Sequence, residues 1–132
     1  MIELTVAELA DVTELDLGAT PWRRVDQAMV DTFADATGAI ADGYLTLSLV
    51  PAMLKDLLRI KDHARGTNYG LEKVRFTAPV PAGGEIRLAA TILDAVWRPD
   101  GGVQYHVALL VEIRGQERPA MIAESIYLTY PG

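Results

Sequence analysis

The chain has 132 residues, of which half are hydrophobic, with a formal net charge of −6 and no cysteine. This length predicts one compact domain over residues 1–132 with a single core, since two domains of half the size would each bury too little apolar surface. The missing cysteines exclude disulfides and thiolate metal sites. The acidic balance and the scattered Lys and Arg residues disfavour nucleic acid as a partner, because phosphate neutralisation needs clustered positive charge.

The chain begins without the basic residues and long apolar run of a secretory signal. Its longest apolar run, residues 45–58, is shorter than the roughly 20 residues of a membrane span and contains Lys55 and Asp56. We therefore expect a cytoplasmic protein without a membrane partner.

Two helices are predicted in the first half of the chain. Asp26 is a favourable N-cap, Met29 and Phe33 follow at helical spacing, and Gly38 suits the left-handed residue that ends a helix. The second helix begins near Gly43 and is apolar on all sides, which is typical of an enclosed helix. Pro51 inside this helix removes one backbone hydrogen bond.

The pattern changes from Asn68 onward to the alternation that is typical of strands. Gly and Pro clusters at residues 79–84 and 99–102 and a polar connector at 114–119 separate four antiparallel segments. An apolar helix followed by long strands predicts an α+β hot-dog fold, in which an antiparallel sheet wraps round a long central helix.

Three segments resemble the MaoC-like (R)-specific enoyl-CoA hydratase/dehydratase family. They are residues 33–38 (FADATG), 43–49 (GYLTLSL) and 68–81 (NYGLEKVRFTAPVP). The resemblance extends from about residue 22 to residue 130 and implies the hot-dog fold. It also implies reversible addition of water to an enoyl thioester, with an Asp and a His as acid and base and a backbone N–H at the start of the central helix stabilising the thioester oxygen.

The resemblance carries over to only part of the family's active site. Ser48 matches the family serine five residues after the glycine that begins the helix, and Asp42 stands where the family has a histidine. The catalytic Asp expected after Gly38 and the His downstream of it are absent, together with the loop that bears them. The shortened loop is compatible with native divergence, with an engineered deletion or with a segment missing from the sequence.

Six residues are candidates for the site, each with a structural alternative. Asp42 is either the N-cap of the central helix or a base at the mouth of the thioester pocket. Ser48 either bonds back to the carbonyl of Tyr44 or supports the active site. Gly43, Tyr44, Asn68 and Tyr69 are predicted to bind the substrate, although aromatic residues at such places also form cores and interfaces.

Three functions remain open from the sequence. The first is a repurposed enzyme that acts on an acyl or polyketide-like substrate, as a CoA or carrier-protein thioester or its released product, and performs isomerisation, cyclisation or elimination. The second is a non-catalytic partner subunit, or an acyl-thioester-binding module, of a complete hydratase. The third is an ordinary (R)-specific enoyl-CoA hydratase whose loop is absent from the sequence. No cofactor or metal is predicted, and the resemblance implies a homodimer whose sheets join edge to edge.

Overall fold

The computed structural model describes residues 1–38 and 43–132. In chain order the described elements are β1 (Ile2–Leu4), α1 (Val6–Ala10), β2 (Leu15–Ala19), β3 (Arg23–Arg24), α2 (Gln27–Thr37), α3 (Gly43–Leu54), β4 (Leu58–Ile60), β5 (His63–Phe76), β6 (Glu85–Trp97), β7 (Val103–Ile113) and β8 (Met121–Pro131). None of the described helices is long and apolar enough to cross a membrane.

The long strands form one antiparallel sheet in the order β2-β6-β7-β8-β5, with β3 also paired to β6. Strand β5 therefore lies at an edge and pairs only with β8 among the described strands. Its register shifts at three places, between His63 and Arg65, between Asn68 and Gly70 and between Glu72 and Arg75. The sheet buries alternate residues along the whole of β7, along β6 as far as Ile92 and along β8 as far as Ser125, as the period-two pattern predicts.

The sequence signals at both ends of α2 are confirmed. The side chain of Asp26 accepts a hydrogen bond from the backbone N–H of Met29 at 2.9 Å, which is the N-cap interaction. Gly38 ends the helix with φ 70°, and its N–H donates to the carbonyl of Ala34 at 2.8 Å. A side chain at this left-handed position would be strained, so glycine is favoured there.

Helix α3 packs against the inner face of the sheet through one of its sides. Leu45, Val50 and Met53 are at most 5% exposed and belong to the core that includes the inward residues of β6 and β7. The other side differs from the prediction of an enclosed helix, because Tyr44 is 66% exposed and Ser48 is exposed. An apolar helix with one open side leaves room for a ligand or a partner.

The first half of the chain contains elements that were not predicted. Strands β1 and β4 pair in parallel, with Ile2 opposite Leu58, and β2 and β3 pair with β6. Strand β5 begins at His63, five residues before the alternation predicted from Asn68, and His63 is exposed. The long pairing of β5 with β8 extends to this residue and determines its conformation.

Candidate functional site: a groove along the central helix

The open side of α3 faces a groove whose opposite wall is formed mainly by β5 and β8. Three adjoining cavities make up this groove. The first and second share Tyr44, and the second and third share Pro51, Asn68 and Tyr127. Because a helix rises 1.5 Å per residue, the groove follows α3 from Tyr44 to Leu54 over roughly 15 Å.

The first cavity lies at the start of α3 and has a volume of about 500 Å³. Gly43, Tyr44 and Thr46 line it from the helix, and Phe76 lines it from the end of β5. The ring of Phe76 packs directly on Gly43, where a Cβ would lie only 2.8 Å from the Phe76 Cγ. The same ring meets Tyr44 edge to face with centroids 5.9 Å apart. Gly43 therefore permits an aromatic wall close to the N-terminus of the helix, where partial positive charge favours a polarised oxygen.

The second cavity, of about 480 Å³, brings three predicted site residues together. Tyr44 and Ser48 line it from α3, and Asn68 lines it from the second register shift of β5. Leu47 and Leu71 supply apolar contacts. This mixture of an apolar lining and a few polar groups is typical of sites for small organic ligands.

Ser48 makes a different hydrogen bond from the predicted one. Its hydroxyl donates to the carbonyl of Leu45, three residues earlier, at 2.7 Å, and not to the carbonyl of Tyr44. Both bonds belong to the same class of helical back-bonding, and the rotamer of Ser48 selects between them. The bond uses the hydroxyl proton and leaves the oxygen available as an acceptor in the groove.

The predicted residue Tyr69 lies outside the groove. Tyr69 does not line any of the three cavities, and its ring lies under the guanidinium of Arg98, 5.3 Å from its centroid. Tyr69 is the extra residue at the register shift between Asn68 and Gly70, whereas Asn68 and Leu71 lie opposite the inward-facing Tyr127 and Ser125 of β8 and share their face of the sheet. Asp42 lies outside the described residues.

Sequence reasoning missed a cluster of hydroxyl side chains on the inner face of the sheet. Tyr105 of β7 is 8% exposed, and Ser125 and Thr129 of β8 are 2% and 1% exposed. Burial raises the pKa of the Tyr105 hydroxyl, so this group stays neutral. Burial also raises the pKa of the Tyr127 hydroxyl, and Ser125 partly offsets this shift. The signal was present in the sequence, since the inward positions of β8 read Met, Ala, Ser, Tyr and Thr where a core favours aliphatic residues.

Among the described residues that line the groove, none carries a carboxylate. The pair of His106 and Asp94, with 2.6 Å between Nδ1 and Oδ1, belongs to the other face of the sheet, because His106 lies between the inward-facing Tyr105 and Val107. The described residues also contain no cluster of acidic and His side chains that would hold a metal ion.

A sheet curved round an apolar helix, with a groove between them that starts at the helix N-terminus, is the hot-dog arrangement. The sequence profile of the MaoC-like domain matches residues 25–107, and the chain belongs to this family. Its sequence is 35% identical over 141 residues to the 3-hydroxyacyl-thioester dehydratase Z of Mycobacterium tuberculosis, covering 92% of this chain and 93% of the relative.

Two solved structures confirm the hot-dog fold. The monoamine oxidase regulatory protein from Archaeoglobus fulgidus superposes with a TM-score of 0.75 at 15% identity, covering 99% of this chain and 97% of the other. An unliganded (R)-hydratase from Pseudomonas aeruginosa superposes with a TM-score of 0.69 at 16% identity, covering 98% and 87%.

Proposed function

We propose that this protein is an acyl-thioester-processing enzyme of the dehydratase type. The thioester carbonyl lies at the N-terminus of α3, and the acyl chain extends along the groove between α3 and the sheet. The observation that carries this proposal is the meeting of Tyr44, Ser48 and Asn68 around one largely apolar cavity beside the start of the helix. The name of the mycobacterial relative, a 3-hydroxyacyl-thioester dehydratase, supports the same substrate class.

The reaction is proposed to differ from ordinary hydration, because the Asp and His expected from the family motif are missing from the sequence. The alignment with the mycobacterial relative supports a shortened loop. It spans 141 positions, whereas 92% of 132 residues is about 121, so about 20 positions of the relative have no counterpart here. We assign the role of base to Asp42, which directly precedes Gly43, and propose isomerisation, cyclisation or elimination of an acyl or polyketide-like thioester.

A second candidate function is a non-catalytic partner subunit or acyl-thioester-binding module. Two observations favour it. The described residues that line the groove include no carboxylate. The one histidine among these residues, His63, lines the third cavity with Leu54 and does not lie beside Gly43. Such a protein binds the thioester and leaves the chemistry to a complete dehydratase.

We also propose a homodimer in which β5 of two copies pair edge to edge. Strand β5 is the long edge strand of the sheet, and it presents the exposed apolar side chains Tyr69 and Leu71. An unpaired edge of this kind invites association. Light scattering is expected to give twice the chain mass, and a monomer that persists at all concentrations would contradict the proposal.

The experiment that tests the function compares turnover and binding on the same protein sample. Hydration of crotonyl-CoA is expected to be slower by a factor of about 10²–10⁴ than in a hydratase with both catalytic residues, which is the usual contribution of general acid–base catalysis. Fast hydration by protein of verified mass would overturn the proposal of a lost catalytic pair. Calorimetry with decanoyl-CoA is expected to show binding for either candidate function, and turnover of longer enoyl- and 3-hydroxyacyl-CoA substrates by the protein alone distinguishes the enzyme from the binding module.

A further inference from the structure

The far end of the groove has a different chemical character from its start. The third cavity has a volume of about 480 Å³ and lies between the C-terminal half of α3 and the strands β5, β7 and β8. Tyr105, Tyr127 and Thr129 line it from the sheet, and Leu54 of α3 and Leu58 of β4 contribute apolar side chains. Three neighbouring hydroxyl side chains thus lie together in the wall of this cavity.

The inner face of the sheet shows where this polarity begins. The inward positions of β6 are Ile86, Leu88, Ala90 and Ile92, and those of β7 are aliphatic except for Tyr105. Tyr105 lies opposite Tyr127, with ring centroids 5.4 Å apart, and Val103 lies opposite Thr129. The hydroxyl groups are therefore gathered at one end of the sheet and are not scattered through the core.

One of these hydroxyl groups lacks a hydrogen-bond partner. The Oγ1 atom of Thr129 is buried in a residue that is 1% exposed, and it forms no hydrogen bond with the described residues. Valine has nearly the same shape and would fill this position without burying an unpaired oxygen, so the threonine carries a cost in folding stability. A ligand oxygen that pairs with this hydroxyl would remove that cost.

Charged side chains lie only at the rim of the same cavity. Lys55, Arg59 and His63 line it and are exposed, and Arg59 is 3.5 Å from the carboxylate of Glu3. A buried carboxylate on the ligand would need a buried cation as its partner. The neutral hydroxyl groups of the wall favour a neutral oxygen instead.

We propose that Tyr105, Tyr127 and Thr129 form a polar subsite that recognises a hydroxyl or keto oxygen on the acyl chain, far from the thioester. The inference rests on the proposed function, in which the thioester lies at the start of α3. Along β8, Thr129 is four residues beyond Ser125, which at the strand rise is about 14 Å farther along the groove. The recognised oxygen is accordingly near the end of a medium-length chain, and the substrate class is an oxygenated acyl thioester rather than a plain fatty acyl thioester.

The test uses calorimetry with matched acyl-CoA probes. The plain series is octanoyl-, decanoyl- and dodecanoyl-CoA, and the second series carries a hydroxyl group on the terminal carbon of each chain. At one or more lengths the hydroxylated probe is expected to bind about two- to tenfold more tightly, the contribution of one neutral hydrogen bond. A third series with a terminal carboxylate tests the cations of the rim.

Two variants and one control locate the effect. Thr129→Val and Tyr105→Phe each remove a hydroxyl with little change of shape, and either is expected to reduce the ratio of affinities to about one or below. Thr91→Val, on the opposite face of the sheet, should leave the ratio unchanged. Melting temperatures check folding, and that of Thr129→Val is expected to equal or exceed the wild-type value because an unpaired hydroxyl is removed.

The results separate the inference from the proposed function. Three results would each overturn the polar subsite while leaving acyl-thioester binding intact. They are tighter binding of the plain chains at every length, an undiminished ratio of hydroxylated to plain affinity in Thr129→Val, and a preference for the carboxylate series. Failure of every probe to bind would overturn the proposed function and the inference with it.

Discussion

The contact between Gly43 and Phe76 predicts that Gly43→Ala impairs both stability and function. A Cβ at this position would lie 2.8, 2.9 and 3.1 Å from three atoms of the Phe76 ring. Carbon atoms prefer separations of about 3.5–4.0 Å, so the ring must move by several tenths of an ångström or more. Its displacement also disturbs the edge-to-face contact with Tyr44.

The expected magnitude follows from these contacts. Overpacking costs about 1–3 kcal/mol, and the aromatic contact contributes about 0.5–1.5 kcal/mol, while alanine returns up to about 1 kcal/mol of helix propensity. The net loss is about 0.5–4.5 kcal/mol, which in a domain of this size lowers the melting temperature by roughly 2–16 °C. The displaced ring also narrows the cavity beside the helix start, so KM for an acyl-CoA substrate is expected to rise.

Gly70→Ala is the matched control for this substitution. A Cβ at Gly70 meets only the Cδ1 atom of Ile126 at 3.8 Å, which is an ordinary contact. Thermal denaturation of the two variants provides the comparison, and steady-state kinetics are measured for Gly43→Ala, because Gly70 itself lines the second cavity. Unchanged stability and KM in Gly43→Ala, or an equal loss of stability in Gly70→Ala, would refute the steric account of this wall.

Three further predictions concern single side chains. Ser48→Ala is expected to change the free energy of unfolding by less than about 0.5 kcal/mol, because the hydrogen bond of Ser48 to Leu45 is local. The same variant is expected to have a lower kcat, and an unaltered kcat would show that Ser48 is not part of the active site. Asp42→Asn is expected to keep the melting temperature, since Asn caps nearly as well as Asp, and to abolish most turnover; equal turnover would eliminate Asp42 as the base. A hydrogen bond from Tyr130, with further contributions from Gly102 and Arg98, lowers the pKa of Asp100. The ionised Asp100 therefore stabilises the fold above its ordinary pKa of about 4. This stabilisation is lost as the pH falls through the lowered pKa. Thermal scans between about pH 6 and about pH 2 should show a smaller acid loss in Tyr130→Phe than in the wild type, and identical losses would contradict the assignment.

The parts of the fold that were predictable depend on local signals. Asp26 and Gly38 mark the ends of α2 because capping chemistry acts within a few residues. The long strands were predictable because a half-buried sheet imposes alternation. Strands β1 and β4 were not, since three-residue strands are too short for a period and their pairing of Ile2 with Leu58 joins distant parts of the chain.

In the groove too, the features set by local sequence signals were predictable and those set by distant pairing were not. Tyr44 and Ser48 share a helix, one turn apart, and the family motif places them near the start of that helix. Tyr69 does not line the described groove beside Asn68, because it is the extra residue at a register shift of β5, and the sequence does not show where such a shift occurs. The cluster of Tyr105, Tyr127 and Thr129 depends on the register of β7 against β8, which only the folded sheet provides.

The most direct test of the central claim is a crystal structure of the protein with a non-hydrolysable 2-oxoalkyl thioether analogue of decanoyl-CoA, in which a methylene group separates the sulfur from a ketone. The proposed function predicts the acyl chain along α3, between Ser48 and Tyr127. It also predicts the oxygen that replaces the thioester carbonyl within about 3 Å of a backbone N–H at the start of the helix. An acyl chain bound on the outer face of the sheet, or one entering the groove with its carbonyl at the end near Thr129, would contradict the claim.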